Sequence, residues 1–126
     1  MGNERTERRK LNVFEMKCLR SMAGVSRMDR VRNEVVRMRT GVRGDLATRV
    51  DMNVLRWFGH VERMENDRLL KRVMNAEVSG RGARGRPRFG WMDGVKRAIR
   101  DRGMNVREAS ERARDRNEWR AIVTQF

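Results

Sequence analysis

The stretch DLATRVDMNVLRWFGHVERM, residues 45–64, decides the fold class of this chain. Its apolar residues recur at intervals of three and four, at Leu46, Val50, Val54, Trp57, Val61 and Met64. An α-helix repeats every 3.6 residues, so this spacing places them on one side of a helix. The stretch therefore predicts an amphipathic helix with Trp57 at the centre of its buried face.

On either side of this helix, the sequence predicts five more helices and no strand, because alternation with a period of two is absent. The five segments cover residues 7–23, 26–40, 67–78, 91–103 and 105–123. Their boundaries carry capping signals or terminal glycines. The signals at helix starts are Ser26 with Asp29, Asp67, and Asn105 with Glu108, and those at helix ends are Gly41 and Gly103.

Apolar residues at helical spacing also predict the buried face of the other helices. The predicted faces are Leu11, Phe14, Cys18, Met22 and Val25 in the first helix, Leu70, Val73 and Met74 in the fourth, Trp91, Val95 and Ile99 in the fifth, and Ala109, Ala113, Trp119 and Val123 in the sixth. The three tryptophans are interpreted as anchors between helices rather than as platforms for stacking bases.

The composition changes abruptly at residues 79–89, which carry glycines, arginines and the only proline but no acid. Such a segment is too rich in glycine for a helix and predicts a loop. The sequence thus predicts an all-α fold, a small bundle of about six helices. Its expected parts are a basic N-terminal extension (1–10), a four-helix part (11–78), the Gly/Arg loop (79–89) and a C-terminal helical pair (90–126).

Charge is the strongest indication of function. Among 126 residues, 31 Lys and Arg oppose 17 Asp and Glu, which gives a formal net charge of +14. Guanidinium groups, which bind phosphate oxygens in a bidentate fashion, make up 27 of the 31 basic side chains. The balance predicts RNA or DNA as the partner.

The Gly/Arg loop is the first candidate for that contact, through Arg81, Arg84, Gly85, Arg86, Pro87 and Arg88. The run Arg-Gly-Arg-Pro resembles the core of an AT-hook, in which glycine allows close approach to a narrow minor groove and proline keeps the preceding residue extended. Binding to single strands through arginine and glycine is an equal alternative. A solvated linker is the third.

A polar stripe on the 45–64 helix is the second candidate. It comprises Arg49, Asn53, Arg56, His60 and Arg63, which are spaced four, three, four and three residues apart. A row of guanidinium groups one turn apart can follow a phosphate backbone, and Asn53 and His60 can hydrogen-bond sugars or bases. The alternative is that these arginines cover the rim of the core and pair with Asp51, Glu62 or Glu65.

Catalysis, metals and cofactors are not predicted. One Cys and one His cannot form a zinc finger or a disulfide within the chain. No two acids are adjacent, whereas two-metal phosphoryl-transfer sites need clustered carboxylates. His60 lies near Glu62, Glu65 and Asp67, but on a helix Glu62 faces away from His60. No small-molecule substrate is expected either.

The sequence also predicts where the chain resides. No apolar run approaches 18 residues, and no basic-then-apolar segment opens the chain, so neither a transmembrane helix nor a secretory signal is predicted. Residues 1–6 fit the loose myristoylation pattern, which short sequences often meet by chance. We expect an intracellular protein, in the nucleus or the cytoplasm, without a membrane partner.

Four segments in register resemble a known family. They are Leu55-Arg56-Trp57-Phe58-Gly59-His60-Val61-Glu62-Arg63-Met64, then Arg84-Gly85-Arg86-Pro87, then Trp91-Met92-Asp93, and finally Asp115-Arg116-Asn117-Glu118-Trp119-Arg120. Their order and spacing are similar to the C-terminal region of LINE-type (non-LTR) retrotransposon reverse transcriptases. Phe14-Glu15-Met16-Lys17-Cys18-Leu19-Arg20 also resembles the helix that opens that region.

The resemblance implies the tail of a polyprotein, which follows the fingers and palm of an RNA-directed DNA polymerase. The paired aspartates of the palm are absent, and the family's endonuclease precedes the polymerase, so no catalytic residue transfers to this chain. A role in holding RNA or DNA is implied. The alternatives are a structural brace for the rest of a reverse transcriptase and a decayed retroelement product without function.

Overall fold

The computed structural model describes residues 2–76, 82, 84, 85 and 90–125, with side chains from residue 5 onward. These residues form seven α-helices and one 3₁₀ turn, and no strand occurs among them, which confirms the all-α class. The helices are α1 (Gly2–Met22), α2 (Asn33–Thr40), α3 (Leu46–Glu62), α4 (Leu69–Asn75), α5 (Trp91–Arg100), α6 (Val106–Ala113) and α7 (Arg116–Thr124).

The chain divides into two compact units, Met1–Val50 and Asp51–Phe126. The predicted loop 79–89 falls within the range of the second unit and lies mostly outside the described residues. Residues 2–10, predicted as a basic extension, form the first turns of α1.

In the first unit, α1 and α2 pack around a small core of Met16, Leu19 and Val36. The predicted face of α1 is wrong, because Leu11, Phe14, Cys18 and Met22 are exposed. Met16 and Leu19 lie on the side of α1 that meets α2. Which side of α1 is buried therefore depends on the position of α2 and not on the apolar pattern of α1 alone.

The second unit has the larger core, which joins α3, α5, α6 and α7. Its buried members are Leu55, Phe58, Val95, Ala98, Ile99, Ala109, Ala113, Trp119, Ile122 and Val123. The faces predicted for the fifth and sixth helices of the sequence are confirmed except at Trp91, which is half-exposed.

The predicted stripe of α3 is displaced by one residue over most of its length. Leu55 and Phe58 are buried where Val54 and Trp57 were predicted, although Val61 is buried as expected. Adjacent positions on a helix lie 100° apart, and at these positions the residues of both stripes are apolar. The buried one is the stripe that meets Trp119 and α5.

Helix α4 differs from its prediction in extent and in burial. It begins after Arg68 rather than at Asp67, and residues 77 and 78 lie outside the described part of the chain. Leu70 and Val73, which were predicted in the core, are exposed. The buried residue is Lys71, whose ammonium donates to the backbone oxygen of Glu62 at 3.0 Å and to its carboxylate at 3.1 Å.

Local boundary signals are largely confirmed. Gly41 ends α2 and Gly103 follows α5, both with positive φ, and the side chain of Asn105 accepts from the Glu108 N–H at 2.9 Å. Ser26 and Asp29 form their predicted contact, but it caps only a 3₁₀ turn, since Arg30 then adopts a left-handed conformation.

The sixth predicted helix is two helices. Asp115 accepts hydrogen bonds from the backbone N–H groups of Asn117 and Glu118, at 2.8 and 2.9 Å, so it acts as the N-cap of α7. An N-cap residue has extended backbone geometry, which interrupts the helical path directly after α6.

Candidate nucleic-acid interface

The Gly/Arg loop is described only in part. Arg84 and Gly85 form an exposed bend, with Gly85 at φ +114°, a conformation that favours glycine. Arg81, Arg86, Pro87 and Arg88 lie outside the described residues. The three interpretations of the loop therefore stay predictions.

The two residues at the ends of the polar stripe of α3, Arg49 and Arg63, make contacts within the protein. Arg49 forms an ion pair with the buried carboxylate of Glu15. Arg63 donates to the backbone oxygen of Ala113 at 2.7 Å; burial, and then the charge of Arg116, lower the pKa of Arg63 below its usual value. Both arginines hold helices in place, as the rim interpretation expects, though with other partners.

The centre of the stripe remains exposed. Asn53, Arg56 and His60 are on the surface of the second unit, and the guanidinium of Arg56 donates to the Asn53 side-chain oxygen at 3.3 Å. These three side chains can meet a ligand, whereas the five-residue row cannot act as one free surface.

A basic groove that the sequence pattern does not predict lies within the first unit. It has a volume of about 1160 Å³ and is lined by both α1 and α2. Among the described residues, five basic side chains line it, against two acidic ones, Glu34 and Asp45. The basic residues are Arg9, Lys17, Arg20, Arg27 and Arg37.

Two of these arginines build the groove. Arg20, near the end of α1, donates to the backbone oxygen of Val31 at 2.7 Å and to the side chain of Asn33 at 3.0 Å. Arg37 on α2 donates to Glu15 at 2.8 Å. These hydrogen bonds hold α2 and the segment that precedes it against α1. They therefore fix the wall of the groove.

The other three basic side chains are available to a ligand. Arg9, Lys17 and Arg27 are exposed, and none has a hydrogen bond or ion pair from its side chain among the described residues. A sequence signal existed, because Arg9, Val13 and Lys17 are spaced by four and share one side of α1. The fold is needed to show that this side of α1 faces the groove and that Arg27 lies beside it.

The three tryptophans have different environments. Trp119 is 2% exposed, and its indole N–H donates to the backbone oxygen of Leu55 at 2.8 Å. Trp57 and Trp91 are 42% and 43% exposed, and their rings meet edge to face with centroids 4.9 Å apart. The anchor interpretation thus holds for Trp119, whereas the prediction that Trp57 is the centre of the buried face of α3 is wrong.

Within the described ranges, no three His, Cys, Asp or Glu side chains are grouped so that they could hold a metal ion. Glu62, near His60 in sequence, pairs with Lys71. None of the helices in those ranges is long and apolar enough to cross a membrane.

Comparisons with known proteins identify no relative: no family model, curated protein or solved structure matches the chain.

Proposed function

We propose that this chain is a non-catalytic nucleic-acid-binding module. The observation that carries the proposal is the groove of the first unit, in which Arg9, Lys17 and Arg27 have no partner among the described residues. Cations that make no internal contact can displace the counterions of a phosphate backbone, which is the main source of nucleic-acid affinity. The net charge of +14 supports the same partner.

The resemblance to the tail of LINE-type reverse transcriptases agrees with this proposal. In that setting the module would hold the RNA template or the DNA target for a polymerase located elsewhere in the polyprotein. RNA and DNA both remain in the proposal, because phosphate contacts alone do not distinguish them.

The groove is tested by removing its free charges. We expect the triple variant Arg9→Gln, Lys17→Gln, Arg27→Gln to bind a single-stranded oligonucleotide more weakly, by about tenfold at low salt. The slope of log affinity against log salt should fall by about two, at roughly 0.7 per lost phosphate contact.

A matched control is Lys10→Gln, Arg39→Gln, Arg43→Gln, which removes the same charge from exposed positions of the same unit outside the groove. It should lose much less affinity, while circular dichroism should report equal helix content for both variants. Equal losses would contradict the groove as the contact, because only the net charge would then matter.

A structural brace is the second candidate function, and the apolar surface of α1 favours it. Leu11, Phe14, Cys18 and Met22 share one side of α1 and are exposed. In the brace interpretation, the rest of a reverse transcriptase would cover these side chains. Wild-type affinity in the groove triple variant would favour this candidate over the first.

A further inference from the structure

Trp57 and Trp91 form an exposed aromatic pair in the second unit. Tryptophan is highly buried on average in folded proteins, as Trp119 is in the same unit. Trp57 and Trp91 instead each keep more than two fifths of their area exposed, and neither indole N–H donates to an acceptor among the described residues. Packing of the core therefore does not account for the exposed part of these two side chains.

The edge-to-face contact fixes the two rings relative to each other. Their planes are 86° apart, so each ring supports the other. Aromatic pairs prefer this arrangement because the positive edge of one ring meets the negative face of the other. A platform that is already ordered loses little conformational entropy when a flat ligand stacks on it.

The surroundings of the pair suit a polyanion that carries aromatic groups. Asn53 and His60 lie four residues before and three residues after Trp57, so both border it on the surface of α3, with Arg56 beyond them. Two hydrogen-bonding side chains and one guanidinium therefore accompany the aromatic surface.

We infer that the Trp57–Trp91 pair stacks on an unpaired nucleobase, so that the ligand of this module is single-stranded nucleic acid. The inference rests on the proposed function and makes its substrate class specific. In a duplex each base is already stacked on its neighbours, whereas a base in a single strand can lie against an indole.

The experiment compares two ligands with the same charge. One is an oligothymidylate of about 12 nucleotides, a length within the usual range for single-strand sites, and the other is the abasic oligomer of equal length. We expect the wild-type chain to bind the oligothymidylate about tenfold more tightly than the abasic oligomer, because only the first offers bases to stack.

Substitutions of the two tryptophans test whether they cause the difference in affinity between the two ligands. Trp91→Ala and Trp57→Ala should each reduce the preference for the oligothymidylate, whereas Trp91→Phe should keep most of it, since phenylalanine retains an aromatic face. Circular dichroism should report unchanged helix content, because both side chains are half-exposed. The groove triple variant should weaken both ligands equally.

Equal affinity of the wild-type chain for the two ligands would overturn the stacking inference and leave the proposed function intact. A base preference that survives in Trp57→Ala and in Trp91→Ala would overturn it as well. If neither ligand bound at low salt, the proposed function would fail, and the inference with it.

Discussion

Trp119 depends on the absence of a side chain at Gly59. The buried indole donates to Leu55 and is tilted against Phe58, with ring centroids 5.8 Å apart. A Cβ built on Gly59 would overlap Cδ1 and Nε1 of the indole. At this position glycine serves close packing, since any larger residue would keep α3 away from the ring.

We therefore expect Gly59→Ala to destabilise the second unit, although alanine favours helices by about 1 kcal/mol over glycine. Overpacking of a fixed core typically costs about 1–3 kcal/mol, and here the loss of the Trp119 hydrogen bond adds to it. Chemical unfolding followed by tryptophan fluorescence measures the change. Gly82→Ala is the control, because a Cβ there meets nothing within 4 Å. Equal stability of Gly59→Ala and the wild-type chain would contradict the close contact.

One carboxylate connects α1, α2 and the start of α3 in the first unit. Glu15 on α1 is buried and accepts from Arg37 on α2 at 2.8 Å and from the Leu46 N–H, at the start of α3, at 3.0 Å. It also pairs with Arg49. Burial acts to raise the pKa of Glu15, but the hydrogen bonds from Arg37 and Leu46 and the charges of Arg37 and Arg49 outweigh it. The pKa is therefore lower than its ordinary value of 4.5.

This arrangement predicts how stability depends on pH. A carboxylate whose pKa is lowered by folding stabilises the folded state fully above its unfolded pKa, and that contribution is lost as pH falls through the folded pKa. We expect Glu15→Gln to cost about 1–3 kcal/mol at neutral pH and progressively less below 4.5. Unfolding curves across that pH range measure the difference.

The control for this variant is Glu7→Gln, on the same helix but exposed. It should leave the free energy of unfolding nearly unchanged. If Glu15→Gln destabilised the chain equally at every pH, the amide would be failing for a steric reason, and the ionic account of Glu15 would be wrong.

For the whole molecule, the sequence predicts which elements form better than which of their faces are buried. Helix ends depend on local groups such as Gly41, Gly103 and Asn105, so those predictions hold. Which face of a helix is buried depends on partners that are distant in sequence. Trp57 and Phe58 are adjacent and both apolar, and Phe58 is in the core because it lies on the side that meets Trp119. In α1, the same dependence on α2 leaves Phe14 exposed and buries Glu15.

The candidate site likewise depends on contacts between residues that are distant in sequence. The excess of basic residues is visible in the composition, but the structural contacts of Arg49 and Arg63 require partners 34 and 50 residues away. The groove residues Arg9 and Arg27 are likewise far apart in sequence, since Arg9 is on α1 and Arg27 is in the 3₁₀ turn that follows it, and both line the same groove. The sequence could predict a polyanionic partner but not the surface that meets it.

Binding of nucleic acid through its phosphates is tested most directly by the affinity of the wild-type chain for a single-stranded oligonucleotide over a series of salt concentrations. If cations such as Arg9, Lys17 and Arg27 bind phosphates, log affinity should fall linearly with log salt, with a slope of magnitude at least about two for three contacts. An affinity that does not change with salt would contradict the account, as would the absence of binding at low salt.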